Sequence, residues 1–354
     1  MQPTVRTVLG DIAPAELGRT LTHEHLLIRF DRWRHELGLP AALRQASDDP
    51  RATAPITLET AGWVRRNWAS HAENSLLDDV ELAIRELRLF KEAGGGAIVD
   101  ATNPDLGRNP EALARIATET GVQVVMGAGH YVEASHPPDM DTRSEEQLFD
   151  AIVHDVTEGC DGTPIRAGII GEIGCSAPMT ANEQRALRAA ARAQVCTGAA
   201  LLIHPGRAVA APLEAMLVVV QAGGDPTRTV MSHIDRTLFD PADMVELART
   251  GCYLEFDLFG QESSYYPLAP IDMPNDATRV DHLLRLTEAG FGDRLLVAHD
   301  ICRKTALVAY GGDGYAHILT NVLPLMRRKG ITDAQIDAIL VHNPARVLAF
   351  APSA

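Results

Sequence analysis

The sequence predicts one (β/α)8 barrel of the TIM type, and three observations lead to that α/β fold class. Eight short apolar runs alternate with longer amphipathic runs, which is typical of parallel strands joined by helical crossovers. The length of 354 residues suits one barrel with insertions. The first apolar run lacks the glycine-rich phosphate turn that often follows the first strand of an open doubly wound sheet. We therefore expect a single domain over residues 1–354.

The eight apolar runs have strand length and are rich in β-branched and aliphatic residues. In chain order they read RTLTHEHLLI, GGGAIVDAT, GVQVVMGAG, AGIIGEIG, AALLIHPG, RTVMSHID, CYLEFDLFG and RLLVAHD. Between them, LLDDVELAIRELRLFKEAG repeats apolar residues at intervals of three and four. It ends in glycine, the residue favoured just past a helix C-terminus. The same design predicts helices in EALARIATETG, SEEQLFDAIVHDVTEG, ANEQRALRAAARAQVCTG, PADMVELARTG and TRVDHLLRLTEAG.

Two connections are longer than a simple link between a strand and a helix. Residues 30–75 follow the first strand, and residues 261–275 follow the seventh. Both belong at the C-terminal mouth of a barrel, where the active sites of this fold lie. Long loops there usually act as lids or pocket walls, so we expect their aromatic side chains to border the site. These are Trp33, Trp63, Trp68, Tyr265 and Tyr266.

The composition is that of an acidic globular protein. A formal net charge of -15 argues against nucleic acid and anionic membrane partners, because an acidic surface repels phosphate groups. The N-terminus lacks a basic start followed by an apolar run, and no apolar stretch approaches about 18 residues. We therefore expect a cytoplasmic protein without a membrane span that takes a small-molecule partner, and a homodimer as its assembly.

Five cysteines are scattered along the chain without CxxC spacing, namely Cys160, Cys175, Cys196, Cys252 and Cys302. Their odd number and irregular spacing predict reduced, mostly buried thiols. Cys175 and Cys302 lie close in sequence to candidate site residues. A nucleophilic role stays open for either, although neither has a histidine beside it in sequence.

The first strand carries two histidines where a core strand has no need of polarity. Side chains alternate along a strand, so His23 and His25 share one face, which in a barrel can be the interior. Such a pair alone is weak evidence, because most are ordinary surface or core histidines. Other strands end in donors as well: Glu172 on the fourth, His204 on the fifth, His233 on the sixth and Asp300 on the eighth. Burying so many ionisable groups without a cation would cost several kcal/mol each.

These six residues predict a binuclear metal centre. Two ions about 3.5–4 Å apart share a hydroxide and polarise the scissile oxygen. Asp300 would take the proton of that nucleophile and pass it to the leaving group, which makes it the candidate catalytic residue. Imidazole and carboxylate ligands suit Zn, with Mn, Fe and Co as alternatives, and a mononuclear site is the competing interpretation. The first ion would be held by His23, His25 and Asp300, the second by His204 and His233, with Glu172 bridging both.

Three further acidic residues lie near the expected ligands. Glu24 faces away from the two histidines that flank it, so we expect its carboxylate to pair with a structural Arg or Lys. Glu255 and Asp257 on the seventh strand are expected to orient the ligand histidines or nearby arginines. Carboxylates are frequent partners of metal-bound imidazole.

The motifs extend into a resemblance over nearly the whole chain. The segments GRTLTHEHL, GAGHYV, GIIGEIGCS, HPGR, MSHIDRT, GCYLEFDLFG, YGGDGYAHILTN and NPARVLAF resemble the phosphotriesterase family of the amidohydrolase superfamily, and within it the animal branch. The resemblance implies an amidohydrolase-like barrel. The best-known organophosphate-degrading members bridge their metals with a carboxylated lysine, whereas Glu172 stands on the matching strand here. Phosphotriester hydrolysis is therefore a poor expectation.

The activity of the animal branch is the cleavage of N-acetyltaurine to acetate and taurine. The resemblance therefore implies a metal-dependent hydrolase of small linear amides, either N-acetyltaurine or an N-acyl amino acid, attacked by the metal-bridged hydroxide. The alternative among hydrolases is a lactonase or carboxylic-ester hydrolase with the same centre, with phosphotriesterase activity ranked below it. A metal-binding protein that has lost catalysis is the alternative of another class, but it predicts missing ligands and all six are present.

A sulfonate or carboxylate on the substrate needs cationic or amide donors. Three basic residues closely follow ligand positions and are expected near the mouth: Arg207, Arg236 and Lys304. His130 and Tyr131, at the end of the third strand, are expected to contact the acyl oxygen or the leaving amine. Residues 311–314, which read GGDG before a predicted helix, are a further candidate anion site. Structural alternatives remain open: salt bridges for the arginines, a solvated side chain for the lysine, a plain helix cap for the glycines and wall packing for the other two.

Overall fold

The computed structural model describes residues 3–30, 46–263 and 266–351. Trp33 and Tyr265, which the sequence assigns to the mouth loops, lie outside these ranges. Within them the chain forms an eight-stranded parallel sheet that curls into a nearly closed barrel with helices outside it. The predicted fold class is confirmed, while the division into a single domain stays a prediction.

The barrel strands are arranged in the order in which they occur in the chain. They are β1 (Arg19–Glu24), β2 (Gly95–Asp100), β3 (Gln123–Ala128), β4 (Ile169–Gly174), β5 (Ala200–His204), β6 (Thr229–Met231), β7 (Tyr253–Phe256) and β8 (Leu295–Val297). Every neighbouring pair from β1 to β8 is parallel. All strands therefore end at the same side of the barrel, so a side chain just past one strand can meet a side chain just past another.

The lower half of the barrel is filled by apolar side chains. Inward residues of β2 to β8 form one buried cluster: Val99, Val125, Ile169, Leu202, Val230, Tyr253 and Leu296. Val5 and Val347 join this cluster from a short antiparallel hairpin, Val5–Thr7 with Gly10–Ile12, and from the last helix. The sequence analysis did not predict the hairpin. Because the strands are apolar on both faces in this half of the barrel, away from the mouth, the ionisable side chains of a site are expected at the mouth.

The outer layer contains the six predicted helices and one that was missed. The longer helices are Val80–Glu92, Pro110–Thr120, Glu145–Thr157, Ala181–Thr197, Ala211–Gln221, Pro241–Ala248 and Asp276–Leu286. Asp79, Ser144 and Thr180 cap three of them, because each side chain accepts from a backbone N–H of the first turn. Ala211–Gln221 was missed because the helix has apolar residues on all its faces, including the exposed Leu217 and Val220. Its sequence therefore lacks the amphipathic period that indicates a surface helix.

Shorter elements complete the mouth and the C-terminal end. Four further helices are described: Leu58–Arg66, Leu323–Arg328, Asp333–Asp337 and Asn343–Leu348. One helical turn, Ile234–Thr237, follows β6 directly. At the two ends of the first mouth loop, Ile28–Arg29 pairs with Leu76–Leu77. No helix in the described part of the chain is long and apolar enough to cross a membrane.

Candidate metal centre

Six ligand-type side chains converge at the mouth, where five different strands end. The structure brings together all of the residues that the sequence predicts as metal ligands. Only Asp300 is not fully buried; its side chain is 18% exposed and lines a cavity. The six are His23 on β1, His25 directly after β1, Glu172 on β4, His204 at the end of β5, His233 after β6 and Asp300 after β8.

The six side chains form two groups of three. Within each group the ligand atoms lie within 4.8 Å of one another. One group is His23, His25 and Asp300, and another is Glu172, His204 and His233; a third group, His23, His233 and Asp257, overlaps both. The division corresponds to the two ion positions of the binuclear interpretation.

Glu172 belongs to the second group and also contacts the histidines of the first. Its Oε1 is 3.4 Å from His25 Nε2, and its Oε2 is 3.5 Å from His23 Nε2. The same Oε2 is 2.8 Å from His204 Nδ1 and 3.6 Å from His233 Nε2. A carboxylate that reaches imidazoles of both groups has the position that a bridging ligand requires.

Two buried nitrogen atoms of the cluster lack hydrogen-bond partners within the described ranges. They are His23 Nε2 and His25 Nε2, and both face the carboxylates of the cluster. An unsatisfied buried polar atom costs about 1–3 kcal/mol, whereas a metal ion would use these lone pairs. The donor set of imidazole and carboxylate, without thiolate, suits Zn, Mn, Fe or Co. The residues therefore fit a divalent metal centre.

The opposite ring nitrogens are held by neighbouring side chains. His25 Nδ1 lies 2.9 Å from Thr102 Oγ1, and His233 Nδ1 lies 2.9 Å from Asp257 Oδ1. His23 Nδ1 lies 3.1 Å from Asp257 Oδ2 and 3.4 Å from Glu255 Oε2. Contacts of this kind fix the ring orientation, so that Nε2 faces inward. The sequence analysis left open whether Glu255 and Asp257 orient the ligand histidines or nearby arginines. In the structure both carboxylates contact ligand histidines.

The electrostatics of the cluster favour added positive charge. Burial opposes ionisation of Glu172, but His23, His204 and His233 hold the pKa of its carboxyl well below the usual range. Burial also lowers the pKa of His23, but Glu172, Asp257 and Glu255 overcome it and raise that pKa well above the usual value. In contrast, burial and the adjacent His233 hold the pKa of His204 well below the usual value, which keeps it neutral. Neutral imidazole is the form that binds a metal.

Two of the six residues have left-handed backbone conformations. His233 has φ 55° and Asp300 has φ 51°, values that are uncommon outside glycine. The backbone N–H of His233 donates to the carboxylate of Asp257 at 3.0 Å, and that of Asp300 donates to His23 O at 3.2 Å. Backbone strain held in this way is concentrated at functional sites.

A small cavity of about 50 Å³ opens beside the cluster. Asp300, Tyr131, Arg207 and Arg236 line it together with residues of both mouth loops. A larger cavity of about 440 Å³ adjoins it between the two mouth loops and the segment after β8. The two cavities share four lining residues: Trp68, Gln261, Tyr266 and Arg303.

Three arginines line the small cavity without an ion pair to any described carboxylate. Arg207 Nε donates to Tyr266 Oη at 2.9 Å, and Arg236 Nη2 donates to Pro205 O at 3.2 Å. Arg236 Nη2 also lies 3.1 Å from His204 Nε2. Arg303, the third, donates to the side-chain oxygen of Gln261 at 3.0 Å. The salt-bridge alternative for Arg207 and Arg236 is therefore not observed within the described residues, and these cations are available to an anionic ligand.

The other predicted substrate contacts fall at different places. Tyr131 lines the small cavity, and its hydroxyl lies 3.3 Å from His204 Nδ1. His130 and Lys304 are not among the residues that line either cavity; His130 Nδ1 lies 3.1 Å from Asp105, and Lys304 Nζ donates to Glu73 at 2.8 Å. The GGDG turn, residues 311–314, lines the larger cavity. A helical segment begins directly after this turn: the His317 N–H donates to Gly314 O at 3.3 Å, and the Thr320 N–H donates to Ala316 O at 3.0 Å.

The two cysteines considered as nucleophiles are buried thiols. Cys302 lines the small cavity, and burial, with the nearby Asp300, raises the pKa of its thiol well above the usual range. Burial raises the pKa of the Cys175 thiol in the same way. Both therefore stay protonated near neutral pH, which argues against a nucleophilic role. The expectation of free, mostly buried cysteines holds, since Cys196 alone of the five is exposed.

Comparison with known proteins identifies the family of this barrel. The family model described as "Phosphotriesterase family" matches residues 3–348. The chain belongs to the phosphotriesterase family. Members of this family are hydrolases with a binuclear divalent metal centre, and the candidate ligands of this hydrolase fit such a centre.

Curated relatives and solved structures match the chain along almost its full length. The N-acetyltaurine hydrolase of Homo sapiens is 46% identical over 348 residues, which cover 98% of each chain. That of Danio rerio is 45% identical with the same coverage. The crystal structure of a resiniferatoxin-binding protein from Rhodobacter sphaeroides superimposes with a TM-score of 0.91 at 39% identity, covering 98% of this chain and 94% of that one.

In this member of the phosphotriesterase family, Glu24 closes the barrel. Its Oε1 accepts from the backbone N–H of His299 at 2.8 Å and lies 2.6 Å from His299 Nδ1, while its Oε2 accepts from Ile301 N–H at 3.0 Å. The predicted pairing with Arg or Lys is therefore wrong. Together with the bond between Asp300 N–H and His23 O, Glu24 joins the end of β8 to β1, and it fixes the residues on both sides of Asp300.

The sequence analysis did not predict several residues that the structure places at the site. Thr102 and Ser232 contact ligand histidines, and their signal was their position directly after β2 and β6. Arg303 and Gln261 line both cavities. Arg303 follows Asp300 by three residues, the same interval that drew attention to Arg207 and Arg236, so sequence reasoning could have included it.

Proposed function

We propose that this enzyme hydrolyses a small N-acyl amide that carries an anionic group, with N-acetyltaurine or an N-acyl amino acid as substrate. The observation that carries the proposal is the set of arginines beside the metal cluster without carboxylate partners. A sulfonate or carboxylate would satisfy them. The similarity to curated N-acetyltaurine hydrolases over nearly the full length of both chains supports the same substrate.

In the proposed site, the six clustered side chains, with Glu172 as the shared ligand, would hold two divalent ions. Such ions would supply an activated water at neutral pH and polarise the acyl carbonyl. Zn is the proposed metal, with Mn, Fe and Co as alternatives, because all of them accept imidazole and carboxylate ligands.

Asp300 is the proposed proton carrier. Three cluster residues line the small cavity, and Asp300 is the most exposed of them, so we place its carboxylate within reach of both the attacking water and the scissile amide. It would accept a proton from the water as the new C–O bond forms. It would then donate that proton to the amine nitrogen as the C–N bond breaks, giving a carboxylate and a free amine.

The remaining predicted residues divide by their contacts. Arg207 and Arg236 are proposed to bind the sulfonate or carboxylate of the amine portion, and the Tyr131 hydroxyl to orient the acyl group. His130 is given a supporting role, because Asp105 accepts from the Tyr131 backbone N–H at 3.0 Å and also contacts His130. Lys304, paired with Glu73, would hold the wall of the mouth and not the substrate.

A lactonase or carboxylic-ester hydrolase with the same metal centre is the second candidate. The architecture supports it, since a lactonase from Listeria monocytogenes superimposes with a TM-score of 0.80 at 28% identity, covering 99% of this chain and all of that one. Lactones and phosphotriesters are uncharged, however, and would leave the arginines of the cavity without partners.

The experiment is a parallel assay of the Zn- or Mn-loaded enzyme with N-acetyltaurine, N-acetyl amino acids, a lactone and a phosphotriester. We expect the highest kcat/KM for an anionic amide. Preference for the lactone or the phosphotriester would refute the proposal. Asp300→Asn should lower kcat by roughly 100-fold or more while most of the metal stays bound. Asp281→Asn on the outer helical layer serves as the control, and equal turnover in both variants would remove Asp300 as the proton carrier.

Two further properties belong to the proposal. We propose a cytoplasmic location, which cell fractionation tests, and a homodimer, which light scattering tests. Recovery of the enzyme in another compartment would contradict the first, and a molar mass near 38.2 kDa in solution would contradict the second.

A further inference from the structure

The wall between the two cavities contains a cation that the proposed reaction does not use. Arg303 lines both cavities, together with Trp68, Gln261 and Tyr266. Its guanidinium lies over the Trp68 ring, 5.2 Å from the centroid, and donates to Gln261 Oε1 at 3.0 Å. Neither contact neutralises its charge, and no described carboxylate forms an ion pair with it. The wall between the two cavities therefore carries the positive charge of Arg303, which is fixed in position but has no described carboxylate partner.

The sizes of the cavities limit what each can contain. The small cavity of about 50 Å³ has room for about three water molecules, so the acyl group, the amide and the anion at Arg207 and Arg236 would fill it. The adjoining cavity of about 440 Å³ lies within the usual size range of ligand sites. A group that the substrate carries in addition to the scissile amide and the anion bound by Arg207 and Arg236 must therefore extend past Arg303 into the larger cavity.

An N-acyl amino acid has a group that would extend in this way. Its α-carboxylate corresponds to the sulfonate of N-acetyltaurine and would occupy the proposed site at Arg207 and Arg236. Its side chain branches from the same α-carbon, close to the amide nitrogen, so it leaves the small cavity at the shared wall. Taurine has no side chain and would leave the larger cavity unused.

We propose that the larger cavity is a side-chain subsite and that Arg303 selects an acidic side chain, so N-acyl aspartates and N-acyl glutamates are substrates. An acidic side chain accepts a charge-assisted hydrogen bond from Arg303, whereas a neutral one leaves the charge uncompensated. The larger cavity is also lined by Arg65, Arg66, Glu262 and Asp313. Glu262 already accepts from the Asp276 backbone N–H at 2.7 Å, and Arg303 is the charged residue of the shared wall. The inference rests on the proposed amidohydrolase function.

The test compares N-acetyl-L-glutamate with N-acetyl-L-glutamine, which has nearly the same shape but no side-chain charge. The metal-loaded wild-type enzyme should show a higher kcat/KM for the glutamate compound. Arg303→Met should lower the ratio of the two kcat/KM values by about 10- to 100-fold. Arg294→Met is the matched control, because Arg294 also lies over an aromatic ring, 5.0 Å from the centroid of Tyr253, but at the opposite end of the barrel. The control should keep the wild-type ratio.

Three outcomes would overturn the inference. They are equal or better cleavage of the glutamine compound by the wild-type enzyme, an unchanged ratio in Arg303→Met, and an equal change in the control. The wild-type comparison keeps the test decisive if Arg303→Met does not fold. N-acetyltaurine separates the two levels of argument: its cleavage without cleavage of N-acetylglutamate refutes only the side-chain subsite, whereas failure of every amide refutes the proposed function as well.

Discussion

The contact between Glu24 and the segment after β8 gives the sharpest prediction about the site. Three successive backbone N–H groups, those of residues 299–301, bind to β1: the first and third to the carboxylate of Glu24, the second to His23 O. Glu24 is fully buried. Because Asp300 lies between the two groups that Glu24 holds, replacing Glu24 with Gln should disturb both the fold and the proton carrier.

The magnitude follows from counting acceptors. The carboxylate accepts on both oxygens, whereas Gln has one acceptor oxygen and one NH2 group. With the oxygen toward His299, the NH2 group faces the N–H of Ile301, and two buried donors lose their partners. Each unsatisfied donor costs about 1–3 kcal/mol, so the free energy of unfolding should fall by about 2–6 kcal/mol. A displacement of Asp300 by about 1 Å should lower kcat by roughly 100-fold.

The assay combines denaturant unfolding at a fixed metal concentration with steady-state kinetics on N-acetyltaurine. Glu86→Gln is the matched control: Glu86 is buried and accepts from the N–H groups of Val308 and Ala309 at 2.9 and 2.8 Å, away from the cluster. It should lose similar stability but keep its kcat. The reasoning is refuted if Glu24→Gln unfolds at the wild-type midpoint, or if both variants lose kcat equally.

Three other predictions concern the fold and the metal. Arg279→Met should lower the free energy of unfolding by about 3–5 kcal/mol in a urea titration, because Arg279 is fully buried between Asp235 at 2.7 Å and Asp276 at 2.8 Å; a loss below about 1 kcal/mol would contradict this. Burial raises the pKa of Asp276, but His317, the Gly260 N–H and Arg279 outweigh it and hold that pKa below its ordinary value of 3.8. The ionised Asp276 therefore stabilises the fold above about pH 4, and this stabilisation is lost as the pH falls below that value. Asp276→Asn should make the free energy of unfolding fall less steeply at acid pH. An unchanged acid limb of the stability–pH curve would exclude the effect. Removal of metal by a chelator should abolish turnover and lower Tm. Two equivalents of divalent ion per chain, counted by elemental analysis, should restore both. Full recovery with one equivalent would favour a mononuclear centre.

The barrel and the ligand set were accessible to sequence reasoning because they follow from local rules. Strand side chains alternate, so His23 and His25 had to share a face. Parallel strands end on one side, so Glu172, His204 and His233 had to meet there. Neither inference needs knowledge of packing.

The features that were missed depend on long-range contacts. The partner of Glu24 is His299, 275 residues later in the chain, and nothing near Glu24 in sequence indicates it. His130 and Lys304 were placed by their distance from the strand ends, but Asp105 and Glu73 occupy their polar groups. The helix Ala211–Gln221 lacks an amphipathic period, so its environment, and not its pattern, specifies it.

The metal cluster and the walls of the cavities come from different parts of the chain, and this has an evolutionary consequence. The six cluster residues occupy strand ends or the positions just after them, whereas Trp68, Gln261 and Tyr266 belong to loops that join the barrel at its rim. Loops tolerate substitution and insertion far better than buried strands do. Selection can therefore change which molecule is accepted without altering the apparatus that breaks the bond. An engineer who wants a new substrate should randomise the rim and leave the strand ends intact.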